Sequence, residues 1–280
     1  MRTVNPISRQ VGDYLVSALS DGNMSVSLGI LSGIDPLEAD ERQRAAGVAD
    51  PEALHINAYL IRGRGRTILV DSGAGGRNNA GGELPLRLRQ LGIAPADVDT
   101  LLLTHGHPDH IGGLLDADSE AVYKNARLYL HPREIDYWQD EALFMRASER
   151  VRRNFTLFRR SLAAYGQRVN LLTEDEVLPG IRPIWLPGHT PGHSGFRIDA
   201  GDKPLLIWGD IVHFPHIQSA LPAVAIAFDA DPAEAASTRK RILAQAAREQ
   251  WLIAGMHLAD AGFARLQAVD GGYRIVYQPE

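Results

Sequence analysis

No stretch of this chain limits its fold more than Thr104-His105-Gly106-His107-Pro108-Asp109-His110-Ile111-Gly112-Gly113. It follows Asp99 to Leu103 (DTLLL), a short apolar run that reads as a strand buried on both faces. Three imidazoles and a carboxylate within six residues resist a packing explanation, because His and Asp are costly to desolvate without partners. A divalent cation satisfies them, since neutral imidazole nitrogens and carboxylate oxygens both bind Zn²⁺ at about 2.0–2.2 Å. Glycines at 106, 112 and 113 let the backbone turn tightly enough for neighbouring side chains to converge. Alternate residues in such a turn face different ways, so a single metal cannot use them all. The chain contains no cysteine, which excludes disulfide scaffolds, thiolate zinc sites, iron–sulfur clusters and thiol nucleophiles. Any metal must sit on His and carboxylates.

Further candidates recur downstream, each in loop-like context after an apolar run. WLPGHTPGHSG carries His189 and His193, LLIWGD ends in Asp210, and WLIAGMH ends in His257. Ligands brought by separate strand ends to one sheet edge are how a rigid scaffold builds a site. TILVD (67–71) and LLIWGD (205–210) both run apolar into a terminal Asp, which hints at two related β-rich halves packed face to face.

The remaining organisation is read from turn chemistry and periodicity. Apolar residues on either side of Asp21-Gly22-Asn23 predict a hairpin with that tip, and residues 32–53 read as a loop or arm without regular structure. INAYLI (56–61) and TILVD bracket a second hairpin, and a short helix fits Glu83 to Leu91. A strand near 127–130 and a helix from Pro132 follow. Residues 143–165 read as one long helix, with Val151, Phe155, Phe158, Leu162 and Tyr165 in a single stripe and a solvated arginine-rich face. Strands near 181–186, 195–198, 204–208, 251–254 and 273–277 and a helix near 232–248 complete the chain. It is read as one domain spanning 1–280, with an N-terminal hairpin and arm at 11–53 and a helical insert at 132–165.

At 280 residues, with 29 Lys plus Arg against 34 Asp plus Glu, the chain has a net charge of −5 and offers no basic field for nucleic acid. It contains no run of about 20 apolar residues and no secretory leader pattern, so the expectation is a cytoplasmic protein without membrane contact. A homodimer through the 32–53 arm is a further expectation. The Gly-rich AGGRNNAGG (74–82) lacks the Lys-Ser/Thr of a phosphate loop and reads as a turn.

Taken together, these motifs resemble the metallo-β-lactamase superfamily. The HxHxDH motif stands as His105 to His110, with the later His, Asp and His as His189, Asp210 and His257, and with Asp71 and GHTPGHS matching as well. The resemblance implies an α/β fold, a four-layer αβ/βα sandwich around a two-metal site. His105, His107 and His189 would hold the first metal, Asp109, His110 and His257 the second, and Asp210 would bridge them. Asp71 would orient the loop from outside the ligand set. Common zinc β-lactamases carry Cys where this chain has Asp210, which disfavours antibiotic hydrolysis. The N-terminal hairpin, the helical insert and the C-terminal tail look more like the branch of methyl parathion hydrolase and the N-acyl homoserine lactone lactonases. Better-known lactonases carry a Tyr three residues after the bridging Asp, where this chain has His213.

The resemblance implies a dinuclear-metal hydrolase in which a shared water, its pKa lowered from 15.7 towards about 7, yields a bridging hydroxide. That nucleophile would open a lactone or cleave an ester or phosphotriester, with quorum-signal lactones as the leading small-molecule substrate. Asp210 and Asp109 are the catalytic carboxylates in this reading, and His213 protonates the leaving group. The metals would be zinc, with manganese, iron or cobalt as alternatives. Competing readings are a glyoxalase II-like thioester hydrolase, an iron-dependent sulfur dioxygenase-like oxidoreductase and a metal-held binding module. His193 reads as a loop brace, and His55, His131 and His216 as structural. Trp138, Phe144, Met145, Phe214 and Phe228 are candidates for an apolar substrate pocket, with core packing as the competing fate.

Overall fold

The computed structural model describes residues 6–199 and 203–278, so the ends of the expected 1–280 unit lie outside the described residues. The first half runs through β1 (Ser8–Val11), β2 (Tyr14–Ser25), β3 (Leu31–Ser32), α1 (Pro36–Ala45), β4 (Ala53–Gly63), β5 (Arg66–Val70) and α2 (Leu84–Gln90). It continues through β6 (Thr100–Leu102), α3 (Pro108–Ile111), β7 (Arg127–Leu130), α4 (Pro132–Gln139), α5 (Glu141–Arg146), α6 (Glu149–Tyr165) and β8 (Val169–Leu171). The second half holds β9 (Ile181–Trp185), β10 (Ser194–Ile198), β11 (Leu205–Ile207), α7 (Pro215–Gln218), β12 (Ala225–Ile226), α8 (Pro232–Arg248), β13 (Leu252–Ala254), β14 (Phe263–Val269) and β15 (Gly272–Tyr277).

Seven strands form one sheet in the order β1-β2-β4-β5-β6-β7-β8, and six form another in the order β15-β14-β13-β11-β10-β9. The run β5-β6-β7-β8 is parallel, as is the β11/β13 pair, and the central strands β6 and β11 read as short apolar segments because helices cover their outer faces. Between the sheets, Val16, Tyr59, Ile61, Ile68 and Val70 meet Ile181, Phe196, Ile207, Ala254 and Phe263 in one buried cluster. On the far side of the first sheet, Leu60, Leu101 and Leu128 pack under Leu88, Ile111, Trp138, Phe155 and Phe158 from the helices. On the far side of the second, Leu206 and Ile253 pack under Ile242, Leu243 and Ala246 of α8. The result is the expected αβ/βα sandwich.

Several local expectations are corrected. Asp21-Gly22-Asn23 is no hairpin tip: β2 passes straight through it along β4, with a register shift between Ser20 and Gly22 that leaves Asp21 unpaired. The turn sits at Gly12-Asp13, between a short β1 and β2. The 32–53 arm contains α1, which begins at Pro36 with the Asp35 carboxylate capping the Leu37 amide. That helix buries just Ala39 and Gln43 and carries Arg42–Glu38 and Arg44–Asp40 pairs, so it has no apolar stripe to betray it. Residues 143–165 split into α5 and α6 at Ala147-Ser148, where Ser148 caps the Val151 amide. No helix among the described residues is long and apolar enough to cross a membrane.

Candidate metal centre

The donor side chains leave the sheets at one common edge. Asp71 directly follows β5 and β6 leads into Thr104-His105, while the β9–β10 connection carries His189, and Asp210 and His257 each lie three residues beyond the ends of β11 and β13. Between them, α3 starts directly after His107 and presents the consecutive residues Asp109 and His110. Gly112 lets this loop lie against its neighbour, since a Cβ there would stand 2.1 Å from the Ala74 carbonyl oxygen.

His105 Nε2 and His189 Nε2 each lie 2.9 Å from His107 Nδ1. Asp210 Oδ2 sits 3.1 Å from His110 Nε2, 3.2 Å from His257 Nε2, 3.2 Å from His213 Nε2 and 3.5 Å from His189 Nε2. Asp109 Oδ2 lies 3.4 Å from His110 Nε2 and 3.7 Å from His257 Nε2. The set therefore falls into His105/His107/His189 and Asp109/His110/Asp210/His257, and His213 joins His189 and Asp210 in a third grouping, with the donor atoms of each group within 4.8 Å of one another.

These donors fit divalent cations. Three ring nitrogens crowded around one point cannot all be satisfied by shared protons, because neutral imidazole carries one N–H. Among the described residues, Asp210 Oδ1 and His213 Nδ1 are buried without a hydrogen-bond partner. Buried polar atoms left in this state need a counter-charge.

A ring of outer contacts fixes the tautomers. His110 Nδ1 donates to Asp71 Oδ2 at 2.6 Å, His189 Nδ1 to Asp229 Oδ1 at 2.8 Å and His257 Nδ1 to the His55 carbonyl at 2.6 Å, each turning Nε2 inward. Thr104 gives its amide and hydroxyl protons to Asp71, so its oxygen accepts from His105 Nδ1 at 3.0 Å. His193 donates from Nδ1 to the Leu186 carbonyl and accepts the Asp210 amide on Nε2 at 2.9 Å, which braces the Asp210 loop. Burial and neighbouring imidazoles hold His105 and His107 well below the ordinary histidine range, which keeps them as neutral donors. Burial opposes charge on His110, yet the carboxylates of Asp210, Asp109 and Asp71 hold it well above that range. Burial likewise opposes charge on Asp210, and His110, His257 and His213 outweigh it and hold its carboxyl well below the usual values. Burial brings His213 down to about 4.

The aromatic candidates divide. Trp138 is buried with its ring 5.5 Å from that of His107, and the Phe228 ring lies 6.2 Å from that of His213. Phe144 packs on Phe155 beneath the Arg159 guanidinium, Met145 is 61% exposed, and Phe214 is buried with Ile217 and Val224. His131 caps the start of α4 and stacks on Trp185, His216 meets Tyr277, and His55 bridges Asn23 and Asn57. Sequence reasoning missed Asp229, Glu134 and Asn57. Asn57 donates its backbone amide to the Met256 carbonyl and its side-chain amide to the Leu258 carbonyl, holding the His257 loop. Most of their partners lie on distant segments, and no motif in the sequence signals them.

The family model of the metallo-beta-lactamase superfamily matches residues 51–257, which include every donor named above. A solved hydrolase, AbOPH, described as in the beta lactamase superfamily, is 29% identical with a TM-score of 0.91, covering 99% of this chain and 98% of that one. AidC, a dizinc quorum-quenching lactonase solved with the product N-hexanoyl-L-homoserine, is 23% identical with the same coverage and a TM-score of 0.91, a likeness of fold. The hydroxyacylglutathione hydrolase of Xanthomonas axonopodis pv. citri is 33% identical over 140 residues, covering 50% of this chain and 41% of that protein. The chain thus spans under half the length of such curated relatives.

Proposed function

The chain belongs to the metallo-β-lactamase superfamily, and from that premise we propose that it is a metal-dependent hydrolase that opens a lactone or cleaves an ester or phosphotriester. The convergence of imidazole and carboxylate donors on Asp210 carries this reading. His105, His107 and His189 would hold one divalent cation and Asp109, His110 and His257 a second, with Asp210 between them. When bound, such a pair supplies Lewis acidity and lowers the pKa of a shared water towards about 7.

The residues of the chain do the rest. Asp210 Oδ1, which has no hydrogen-bond partner among the described residues, is free to orient the attacking water. Asp109 is 14% exposed, whereas Asp210 and the ring of His110 are sealed, so substrate approaches over Asp109 and His107. His213 is neutral and donates an N–H to the leaving oxygen, which then takes its proton from water. Phe228 flanks the opening with apolar surface, while Trp138 backs His107 from the core. Similarity over nearly whole chains to AbOPH, a hydrolase, supports the hydrolytic reading, and the likeness of fold to AidC, a quorum-quenching lactonase, favours a lactone substrate. The match to hydroxyacylglutathione hydrolase supports a second reading, thioester hydrolysis, over half of this chain. A homodimer contact is proposed at α1, where Leu37 is 76% exposed; an elution volume unchanged by Leu37→Asp counts against it.

The deciding experiment couples metal quantification to a panel of acyl-homoserine lactones, aryl esters, phosphotriesters and a glutathione thioester. Ring opening without thioester cleavage is the expected result. Asp210→Ala should abolish most turnover while circular dichroism stays native. Hydrolysis at the wild-type rate in fully metal-depleted protein would overturn the mechanism, and tightly held iron with oxygen consumption would favour the dioxygenase reading.

A further inference from the structure

Glu134, in the first turn of α4, is fully buried, and no basic side chain pairs with it among the described residues. Instead its carboxylate accepts hydrogen bonds from two loops at once. Oε2 takes the Gly106 amide at 2.8 Å and the Trp138 indole N–H at 2.8 Å. Oε1 takes the Gly192 amide at 3.0 Å and the Thr190 hydroxyl. Gly106 separates His105 from His107, and Thr190 follows His189. The packing leaves no slack here, since a Cβ on Gly106 would stand 2.4 Å from Trp138 Nε1 and one on Gly192 2.5 Å from the Glu134 nitrogen.

We propose that Glu134 is a positioning residue that clamps the 105–107 and 189–192 loops together, and thereby sets the spacing of the three-histidine half of the centre. The inference rests on the reading that His105, His107 and His189 hold a cation. The other half is supported elsewhere, by Asp71 on His110 and by β4 on the His257 loop. Loss of the clamp therefore weakens one half selectively. Burying an unpaired carboxylate is costly, and here four donors compensate it, an arrangement that suits precision more than stability.

Glu134→Gln keeps the shape and removes the function of the clamp. An amide offers one oxygen and one NH₂, so in either orientation the NH₂ faces an obligate N–H donor, from Gly106 and Trp138 on one side or from Gly192 on the other. Zinc affinity at each half is measured by competition with a chromophoric chelator, with circular dichroism as the check on folding. The expected result is one equivalent bound as in wild type and one weakened by about 10–100-fold. Double variants assign the half: the loss persists in a His257→Ala background and vanishes in a His189→Ala background, where the half is already broken. Equal weakening of both halves, or a loss that persists beside His189→Ala, overturns the proposal. Should Glu134→Gln fail to fold, Thr190→Ala decides, because it removes one clamp bond; a smaller loss confined to the same half supports the clamp, and unchanged affinities overturn it. If wild-type protein binds no divalent cation, the reading of the centre itself fails; if it binds two and hydrolyses nothing, the proposed reaction fails and the clamp stands.

Discussion

Asp229 illustrates what a single side chain does at distance from any reacting atom. Its Oδ1 holds His189 Nδ1, its Oδ2 accepts the Ile226 amide, and Arg239 lies 3.8 Å away while donating to the carbonyls of Ile211, Pro222 and Val224. Asp229→Ala should free the His189 ring and lower zinc affinity by about 10–100-fold, read by chelator competition, with little change at the Asp109/His110 half. Gly112→Ala drives a Cβ into the Ala74 carbonyl and should cost about 1–3 kcal/mol, measured by denaturant unfolding. At this scale the sequence was legible where chemistry is contiguous: His105 to His110 declare themselves because four costly groups crowd one turn. Asp71, Asp210 and His257 were legible because each ends an apolar run. Glu134 was not, since an isolated carboxylate in a polar stretch looks solvated until the fold delivers donors to it, and Asp229, although it ends the run Val224 to Phe228, stands beside no second donor that would mark it.

Among the elements, α8 was legible from its Asp231-Pro232 start, and the Asp231 carboxylate does accept the Glu234 amide at 2.9 Å. Asp231→Ala should therefore destabilise the protein by about 0.5–2 kcal/mol, visible as a fall of a few degrees in Tm. β5 and β6 were equally plain, because strands buried on both faces spell continuous apolar runs. α1 was invisible for the opposite reason, since caps and charge pairs hold it and no periodic apolar face does. The strand β14 is hard to read although Asp270-Gly271 marks the hairpin with β15, because its second half, Gln267 to Val269, is exposed and breaks the pattern. The α5/α6 break leaves no mark on the apolar pattern, because Ser148 interrupts the helix by capping, which a stripe of apolar residues does not record.

For the molecule as a whole, the two layers of strands interlock through Phe196 and its neighbours, and Phe196→Ala should cost about 3–5 kcal/mol in denaturant unfolding. Stripping divalent cations with a chelator should lower Tm as well, by the linkage worth about 2.7 kcal/mol at a ligand concentration 100-fold above Kd, and zinc should restore it. The pairing of two β-rich halves was foreshadowed by TILVD and LLIWGD ending alike, and the resemblance supplied the layering. The first sheet occupies residues 8–171 and the second begins at Ile181, so apart from the small β3–β12 pair the polypeptide crosses between them once, through an exposed stretch at 173–176. His105, His107, Asp109 and His110 come from one side of that crossing, and His189, Asp210 and His257 from the other. A nick at 173–176 would thus yield two fragments each holding half a chelate, and dissolved zinc would act as the glue whose concentration sets how firmly they reunite.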